Sequence, residues 1–546
     1  MASDFKNEQK IFSASDSVYN EIVNLYIAND LAIPSSSGPW SCNELRAMFN
    51  KLETVRLFGS MKEVYKEVRK QLYETPDIVL EDSFGFSVGL VLSPEFYTHT
   101  NNTDFEEDSD LYYGLEERAN LATIPLEFWF ANNFYLRSNF SFEIDSTDDD
   151  LNNFLSQQVI TTNVFTRETS GSANSPYRAS VAVGGNHWNL VMGRDVVRWG
   201  VGESGNLMVG GNMKYENYAR FSTFYNNFKF TMLGVFYPHP EELLDHNDSY
   251  NGLKVHLAHR IEFVAFQNKL SVALTESIMY QSSNNTFDLR IYSPANIFHD
   301  YYIRSTANSL LGVDINYALD YNWALYGQLV VDEYHIPGEA NPNYGNAGSH
   351  PDAYGILTGI KKIRSFKEGV FKTVFETVFA SPYLYLREAY DDETDEYGVS
   401  FYGDYRMYTG VIDYTSYCTG YEYGGDCITG TLKTTYEKDA WKAGIELFYM
   451  AHGIIDSAED YGDGTLDEGE SIPWVLATTS PLNSSDPDKT GYIEHTFRVS
   501  ISGSYQILAN VKTYARSDLY LIINEDNDLK DPVNDIQVTY GVKWVI

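Results

Sequence analysis

Side chains with chemical potential crowd most closely in His187–Gly211 (HWNLVMGRDVVRWGVGESGNLMVGG), where Arg194, Asp195, Arg198 and Trp199 lead into a glycine-rich loop. With only 39 Lys+Arg in the chain, two arginines around an Asp and a Trp stand out. Two roles fit these types. Guanidinium and indole groups could face a glycan, or an Arg–Asp pair could pin the loop to the wall it leaves. Gly202-Glu203-Ser204-Gly205 is not a nucleophile elbow, because its second glycine comes one residue early. His256 and His259 are three apart on an expected strand, so they point to opposite faces and make a poor metal pair. Asp460, Asp463, Asp467 and Glu470 resemble a calcium loop loosely, without EF-hand spacing; a solvated acidic loop is the competing reading. Cys418 and Cys427 flank a Gly- and Tyr-rich loop (CTGYEYGGDC) and are expected to form a disulfide in an oxidising compartment. Cys42 then reads as a small buried hydrophobe. No nucleophile–base constellation emerges, so no enzyme is expected. No cofactor is expected either, apart from divalent cations held at acidic loops.

The chain has 546 residues and a formal charge of −37. That charge argues against a nucleic-acid partner, whose phosphates would be repelled. Hydrophobic residues make up 43% of the sequence, too many for a disordered acidic chain. Aromatics are abundant, with 43 Tyr, 31 Phe and 8 Trp. The longest apolar run, Met232–Tyr237, falls far below the roughly 18 residues of a helical span. The first residues, MASDFKNEQK, contain no apolar signal region. A secreted or outer-membrane location therefore implies that a signal was removed.

Two kinds of element must position these groups. Residues 1–77 carry helical spacing. Val18, Ile22, Leu25 and Tyr26 predict a helix over 17–32, Ser41-Cys42-Asn43-Glu44 is a capping box opening a second, and Ser60 opens a third that stops before Pro76. Such a bundle has a thin core and is expected to pack against something larger. From 78 to 546 the period becomes two: Leu311, Val313, Ile315 and Tyr317 alternate with Gly312, Asp314, Asn316 and Ala318, and the last strand runs Ile536, Val538, Tyr540, Val542, Trp544. Eight short turns (at Asn132-Asn133, Gly185-Asn186, Asn226-Asn227, Gln267-Asn268, Tyr321-Asn322, Phe366-Lys367-Glu368, Lys438-Asp439 and Gly503-Ser504) alternate with nine long polar connections, which makes eighteen strands. Strict short–long alternation and an even count predict a transmembrane antiparallel β-barrel of about 18 strands with long extracellular loops. Residues 1–77 are its small periplasmic α-helical bundle. Tyr and Trp suit the interfacial girdles, and charges at alternate positions are accounted for by a wet interior. The expected setting is the bacterial outer membrane with its lipopolysaccharide or lipids, as a monomer.

Three helices with Pro39-Trp40-Ser41 before the second, followed by such a barrel, resemble the capsule-assembly Wzi family. Gly38-Pro39-Trp40-Ser41 is similar to the family's Trp-Pro-Leu-Ser-like turn. Arg198-Trp199-Gly200-Val201-Gly202 is similar to its Arg-Trp-Trp-Gly-Pro-Gly-like stretch, with one Trp absent and Val in place of Pro. Tyr326–Glu333 (YGQLVVDE) and Glu376–Tyr385 (ETVFASPYLY) resemble two of its strands. The resemblance implies a non-enzymatic outer-membrane lectin that anchors capsular or other surface polysaccharide. It adds Asp332, Glu333, Tyr383 and Tyr385 to Arg194, Asp195, Arg198 and Trp199 as glycan-binding or loop-pinning residues. The charge favours a neutral or zwitterionic glycan, or cations bridging to an acidic one. The alternatives are a cation-selective porin-like channel and a surface adhesin.

Overall fold

The computed structural model describes residues 7–81, 83–105, 118–144, 160–165, 171–213, 215–237, 253–282, 307–333, 352–386, 399–408, 412–455, 476 and 491–546. Eighteen antiparallel strands close into a barrel. β1 is built from three stretches, Phe84–Val88, Val91–Leu92 and Glu95–Thr98. Then come β2 (Ala122–Phe130), β3 (Phe134–Ile144), β4 (Gly171–Gly185), β5 (Trp188–Asp195), β6 (Glu216–Phe224), β7 (Phe228–Tyr237), β8 (Leu253–Ala265) and β9 (Leu270–Ser282). The second half is β10 (Ala307–Leu319), β11 (Trp323–Glu333), β12 (Ala353–Ser365), β13 (Val370–Ala380), β14 (Cys427–Lys438), β15 (Trp441–His452), β16 (Glu494–Leu508), β17 (Val511–Ile523) and β18 (Val533–Val545). Each strand pairs with its sequence neighbours. Closure comes from β18 on β1, with Tyr540 opposite Phe96 and Trp544 opposite Leu92. The Asp535 carboxylate secures that seam by accepting from Thr100 N, Thr100 Oγ1 and Asn101 N, each at 2.9 Å.

The strands are inside-out relative to a water-soluble sheet. On β10, Leu311, Ile315 and Tyr317 are 56%, 48% and 41% exposed, while Asp314 and Asn316 are 4% and 6%. The exposed apolar row is what hydrocarbon requires. The buried polar row needs partners inside.

One expected turn is corrected. Gly503 and Ser504 lie mid-strand in β16, Gly503 opposite Ala443 on one side and Ala515 on the other, and the chain reverses at Ala509-Asn510 instead. The outward row Ile501, Tyr505, Ile507 continues through the glycine, so alternation outweighs the local turn signal.

The helices are α1 (Ser17–Ala28), α2 (Cys42–Phe49) and α3 (Met61–Leu72). α1 stops four residues earlier than its spacing predicts, and the chain beyond it runs without regular structure to Gly38. The capping box forms as expected: Ser41 N donates to Glu44 Oε2 at 2.7 Å, and Glu44 N donates to Ser41 Oγ at 3.4 Å. This segment docks on the short-turn end of the barrel, hairpin after hairpin. Asn43 Nδ2 donates to Gly185 O at 3.3 Å, Lys51 Nζ to Asn226 O, Ala32 N to Asn268 O at 2.8 Å, Asn322 Nδ2 to Ala28 O at 2.9 Å, and Ser365 Oγ to Phe58 O at 2.6 Å.

A closed sheet keeps every strand edge paired and resists detergent until heated. Unboiled protein should therefore migrate faster than boiled protein on a denaturing gel; a single unshifted band would contradict the closed barrel.

Candidate functional site

Three pieces of chain meet inside the barrel: 33–41 from the helical segment, the 196–213 connection after β5, and 381–386 with 399–403 and 417–427 after β13. The middle piece is steered inward where it leaves the wall. Asp195, buried at the end of β5, accepts from Arg178 Nε, Ser13 Oγ and its neighbour Val196 N, each at 2.8 Å. Glu216, opposite it on β6, accepts from Val197 N at 3.2 Å. The chain then delivers Trp199, which is fully buried, to the first piece: Trp199 Nε1 donates to Gly38 O at 3.1 Å, Gly38 N to Arg198 O at 3.2 Å, and Gly200 N to Ser36 O at 3.1 Å. Gly200 has φ +130°, and a Cβ there would stand 2.0 Å from Asn206 Oδ1, so only glycine fits.

Charges on the inner wall hold these pieces. Glu44 caps α2 with one oxygen and with the other meets Arg220 Nη2 and Lys229 Nζ, the latter at 2.9 Å. Burial alone would raise its pKa, but the two cations lower it to about 2. Glu262 accepts from Ser35 Oγ (2.6 Å), Ser36 N (3.2 Å) and Ser37 Oγ (2.8 Å) and faces Arg260 at 3.2 Å. Arg260 also reaches Asp314 at 2.6 Å and Ser36 Oγ at 3.1 Å. Gln328 bridges Asp314 (2.6 Å) and Leu207 N (3.0 Å). Glu376 accepts from Glu203 N and Ser204 N at 2.8 Å and from Tyr326 Oη at 2.6 Å. Glu203 itself is half-buried; desolvation would raise its pKa, yet Lys361 (3.3 Å) and Lys433 (3.0 Å) hold it well below the carboxylate range.

The third piece is tied to the second. Asp332 Oδ2 accepts from Tyr385 N at 2.9 Å, Tyr385 Oη donates to Leu207 O at 2.8 Å, and Gly210 N donates to Thr419 O at 2.8 Å. Tyr383 and Tyr385 are buried with φ of 66° and 78°.

Of the residues singled out in the sequence, Asp195, Trp199, Asp332, Tyr383 and Tyr385 are buried joints of this inner packing. Arg194 and Arg198 are half-buried, Arg194 over the Tyr215 ring at 5.6 Å and Arg198 donating to Gly202 O. The partner of Asp195 is Arg178 rather than a neighbouring arginine. A β-strand places its near neighbours on the opposite face, whereas Arg178 arrives from the adjacent strand β4. The Glu333 side chain and Asp460, Asp463, Asp467 and Glu470 lie outside the described residues. The expected Cys418–Cys427 disulfide is corrected, since both are buried and not joined to each other. Cys418 ends the hairpin Tyr402–Tyr408/Ile412–Cys418, opposite Tyr402. Cys427 opens β14, opposite Ala380 and His452, with its Sγ toward Gly424 O at 3.9 Å. Burial raises the Cys418 thiol to about 12 and the Cys42 thiol to about 11. Reasoning from sequence found Glu44 only as a helix cap and missed Arg220, Glu262, Arg260, Gln328 and Glu376; for these five the available signal was a charged or amide residue in the inward slot of an alternating strand.

Fold and filled lumen together define a bacterial outer-membrane β-barrel whose own chain occupies its interior. Comparison with family models and with curated protein sequences gives no match. Among solved structures, the chain is similar to Wzi of Escherichia coli, an outer membrane protein involved in group 1 capsule assembly and a carbohydrate-binding β-barrel. The TM-score is 0.58 at 13% identity over 98% of both chains. Acinetobacter baumannii OccAB1 (TM-score 0.40, 10% identity, 86% of this chain and 98% of that one) and the outer membrane channel DcaP of the same species (0.35, 9%, 86% and 100%) align less well.

Two predictions follow from these contacts. Glu44→Gln leaves Arg220 and Lys229 buried without their counter-charge, and breaking such a pair costs about 3–5 kcal/mol. Because the folded-state pKa of Glu44 is depressed, its contribution is full above about 4.5 and is lost as pH falls from 4.5 toward 2. Limited proteolysis should find the helical segment protected at pH 7 and released in acid, and Glu44→Gln should be released already at pH 7. For the cysteines, a non-reduced digest should show Cys418 and Cys427 unlinked, and iodoacetamide should label them only after denaturation, since neutral buried thiols react slowly.

Proposed function

We propose that this barrel holds a surface polysaccharide at the outer membrane, without enzymatic chemistry and without an open pore. The observation that carries the reading is the lumen filled by three crossing segments, in a fold that follows Wzi over 98% of both chains. A diffusion channel leaves its interior to water, whereas here Trp199, Tyr385, Arg220 and Arg260 are all under 3% exposed. The helical segment at the short-turn end is then a periplasmic stopper, because outer-membrane barrels keep their short turns on that side. The Tyr-rich long connections supply the outer contact surface. Sugar rings stack on aromatic faces and Asp or Asn side chains orient hydroxyls, so each sugar is held weakly and a polymer gains by multivalency.

In planar bilayers the purified protein should conduct far less than an open barrel of this size. A deletion strain should synthesise its polysaccharide but shed it into the medium. Normal retention in that strain together with large single-channel currents would favour the channel reading instead.

A further inference from the structure

A lipid-facing wall wants apolar side chains in its outward rows, and β12 departs from that near its short turn. Ile356 is outward and 40% exposed, while Leu357 and Ile363 are inward and buried. The same alternation turns Lys362 and Arg364 outward. Register agrees: Lys362 lies opposite Trp323 on β11 and Thr373 on β13, and Arg364 lies opposite Phe371. Trp323 and Phe371 are themselves outward and exposed. Adjacent hairpins put Leu325, Trp441 and Ile445 in the corresponding rows.

An aromatic frame holds the two cations. Lys362 Nζ stands 4.7 Å from the Trp323 ring centre, and the Arg364 guanidinium 5.0 Å from that of Phe366. Phe366 meets Phe371 edge-on at 5.9 Å, and Phe371 meets Tyr436 at 4.6 Å. A hydroxyl pair lies in the same outward rows, Thr434 Oγ1 donating to Thr373 Oγ1 at 3.3 Å. The Lys362 ammonium runs along the wall and donates to Tyr321 O in the β10–β11 turn. That is how a long cation on a lipid-facing wall reaches the polar boundary. It places the charge where lipid phosphates lie, since the headgroup zone is about 5–8 Å deep on each side. Exposed Phe58 of the helical segment stands at the same rim, its carbonyl accepting from Ser365 Oγ at 2.6 Å.

The charge here is only partly answered. Asp30 lies within electrostatic range of Lys362, but its Oδ1 already accepts from Asn322 N at 2.7 Å. Arg364 is in range too, as a like charge. Arg364 is exposed and makes no ion pair or hydrogen bond with a described residue, so its fork of donors points to the boundary unused.

We propose that Lys362, Arg364 and Thr373 form a headgroup site for an anionic phospholipid in the leaflet at the short-turn end. The ligand reaches it from the membrane, without entering the lumen, and the site is independent of what the long connections hold. A phosphodiester suits the Arg364 fork, Lys362 adds a point charge, and the Thr373 hydroxyl lies beside them. Trp323 and Phe371 border the first acyl carbons. A zwitterionic headgroup would bring its own ammonium against two cations, so an anionic lipid is preferred.

The test uses the full chain, extracted from vesicles of equal phosphatidylglycerol and phosphatidylethanolamine and weighed with its retained lipids by native mass spectrometry. Phosphatidylglycerol should be retained over phosphatidylethanolamine by about fivefold or more. Lys362→Gln/Arg364→Gln should bring that ratio close to one while the heat-modifiable gel shift persists. Should the double variant not fold, Arg364→Gln alone should at least halve the ratio. Lys269→Gln, on the β8–β9 turn, should leave it unchanged, and excess glycerol phosphate should not strip the bound lipid. Equal retention of the two lipids by the unaltered chain overturns the site, as does an unchanged ratio in the folded variants. An equal fall in Lys269→Gln would show general surface charge instead, and stripping by glycerol phosphate would show a free-phosphate site; either result also overturns it.

Discussion

The structure depends on one constraint: a charge held between hydrocarbon and a packed interior must have a partner. Arg220, Arg260, Asp195, Asp314 and Glu376 all sit on the wall with little or no access to water. A single such group left alone costs several kcal/mol, whereas a completed pair gives little net stability over an apolar filling. The pairs therefore act mainly on placement. Glu44 can satisfy Arg220 and Lys229 only if α2 starts at Ser41, and Glu262 can collect three donors only if Ser35–Ser37 lies in the lumen. The charges thereby set where the helical segment docks, and the apolar contacts around Trp40 and Trp199 fill the remaining space.

The barrel was legible because its signal is repetitive. Each strand repeats the same alternation, and the short turns mark one end of the molecule. One misplaced turn, at Gly503, does not change the count. The capping box at Ser41–Glu44 was legible because both partners lie within one helical turn. What the sequence concealed is partner choice across the chain. Asp195 looked destined for a nearby arginine, yet register brings Arg178 to it from β4. Asp535 closes the barrel on Thr100 across 435 positions of sequence. The two cysteines looked like a loop disulfide because their spacing suggested one, whereas their elements lead them to different strand partners. None of these choices has a local signature.

The expectation of a wet interior was half correct, and the reason is tertiary. An alternating charged row reads the same in sequence whether water or another segment of chain faces it. From β4 to β13 the facing material is the chain itself, and the polar row is buried. From β15 to β17 much of the inward row stays at least partly exposed, as at Lys442, Arg516 and Ser502. The same pattern thus produced two environments, which differ only in whether the 33–41 and 196–213 segments reach them.

That asymmetry bears on how a sealed barrel can still be functional on its inner side. A lumen filled all round would present ligands with two closed ends and leave only the outer loops for recognition. A lumen open all round would conduct. The arrangement here is intermediate: the interior is blocked by segments that buried charges hold in place, and one arc of wall remains hydrated at the short-turn mouth. Transport of a solute would require Glu44, Glu262 and Glu376 to release their partners together, each release costing several kcal/mol. The energetics of the inner packing therefore oppose passage of a solute through this lumen.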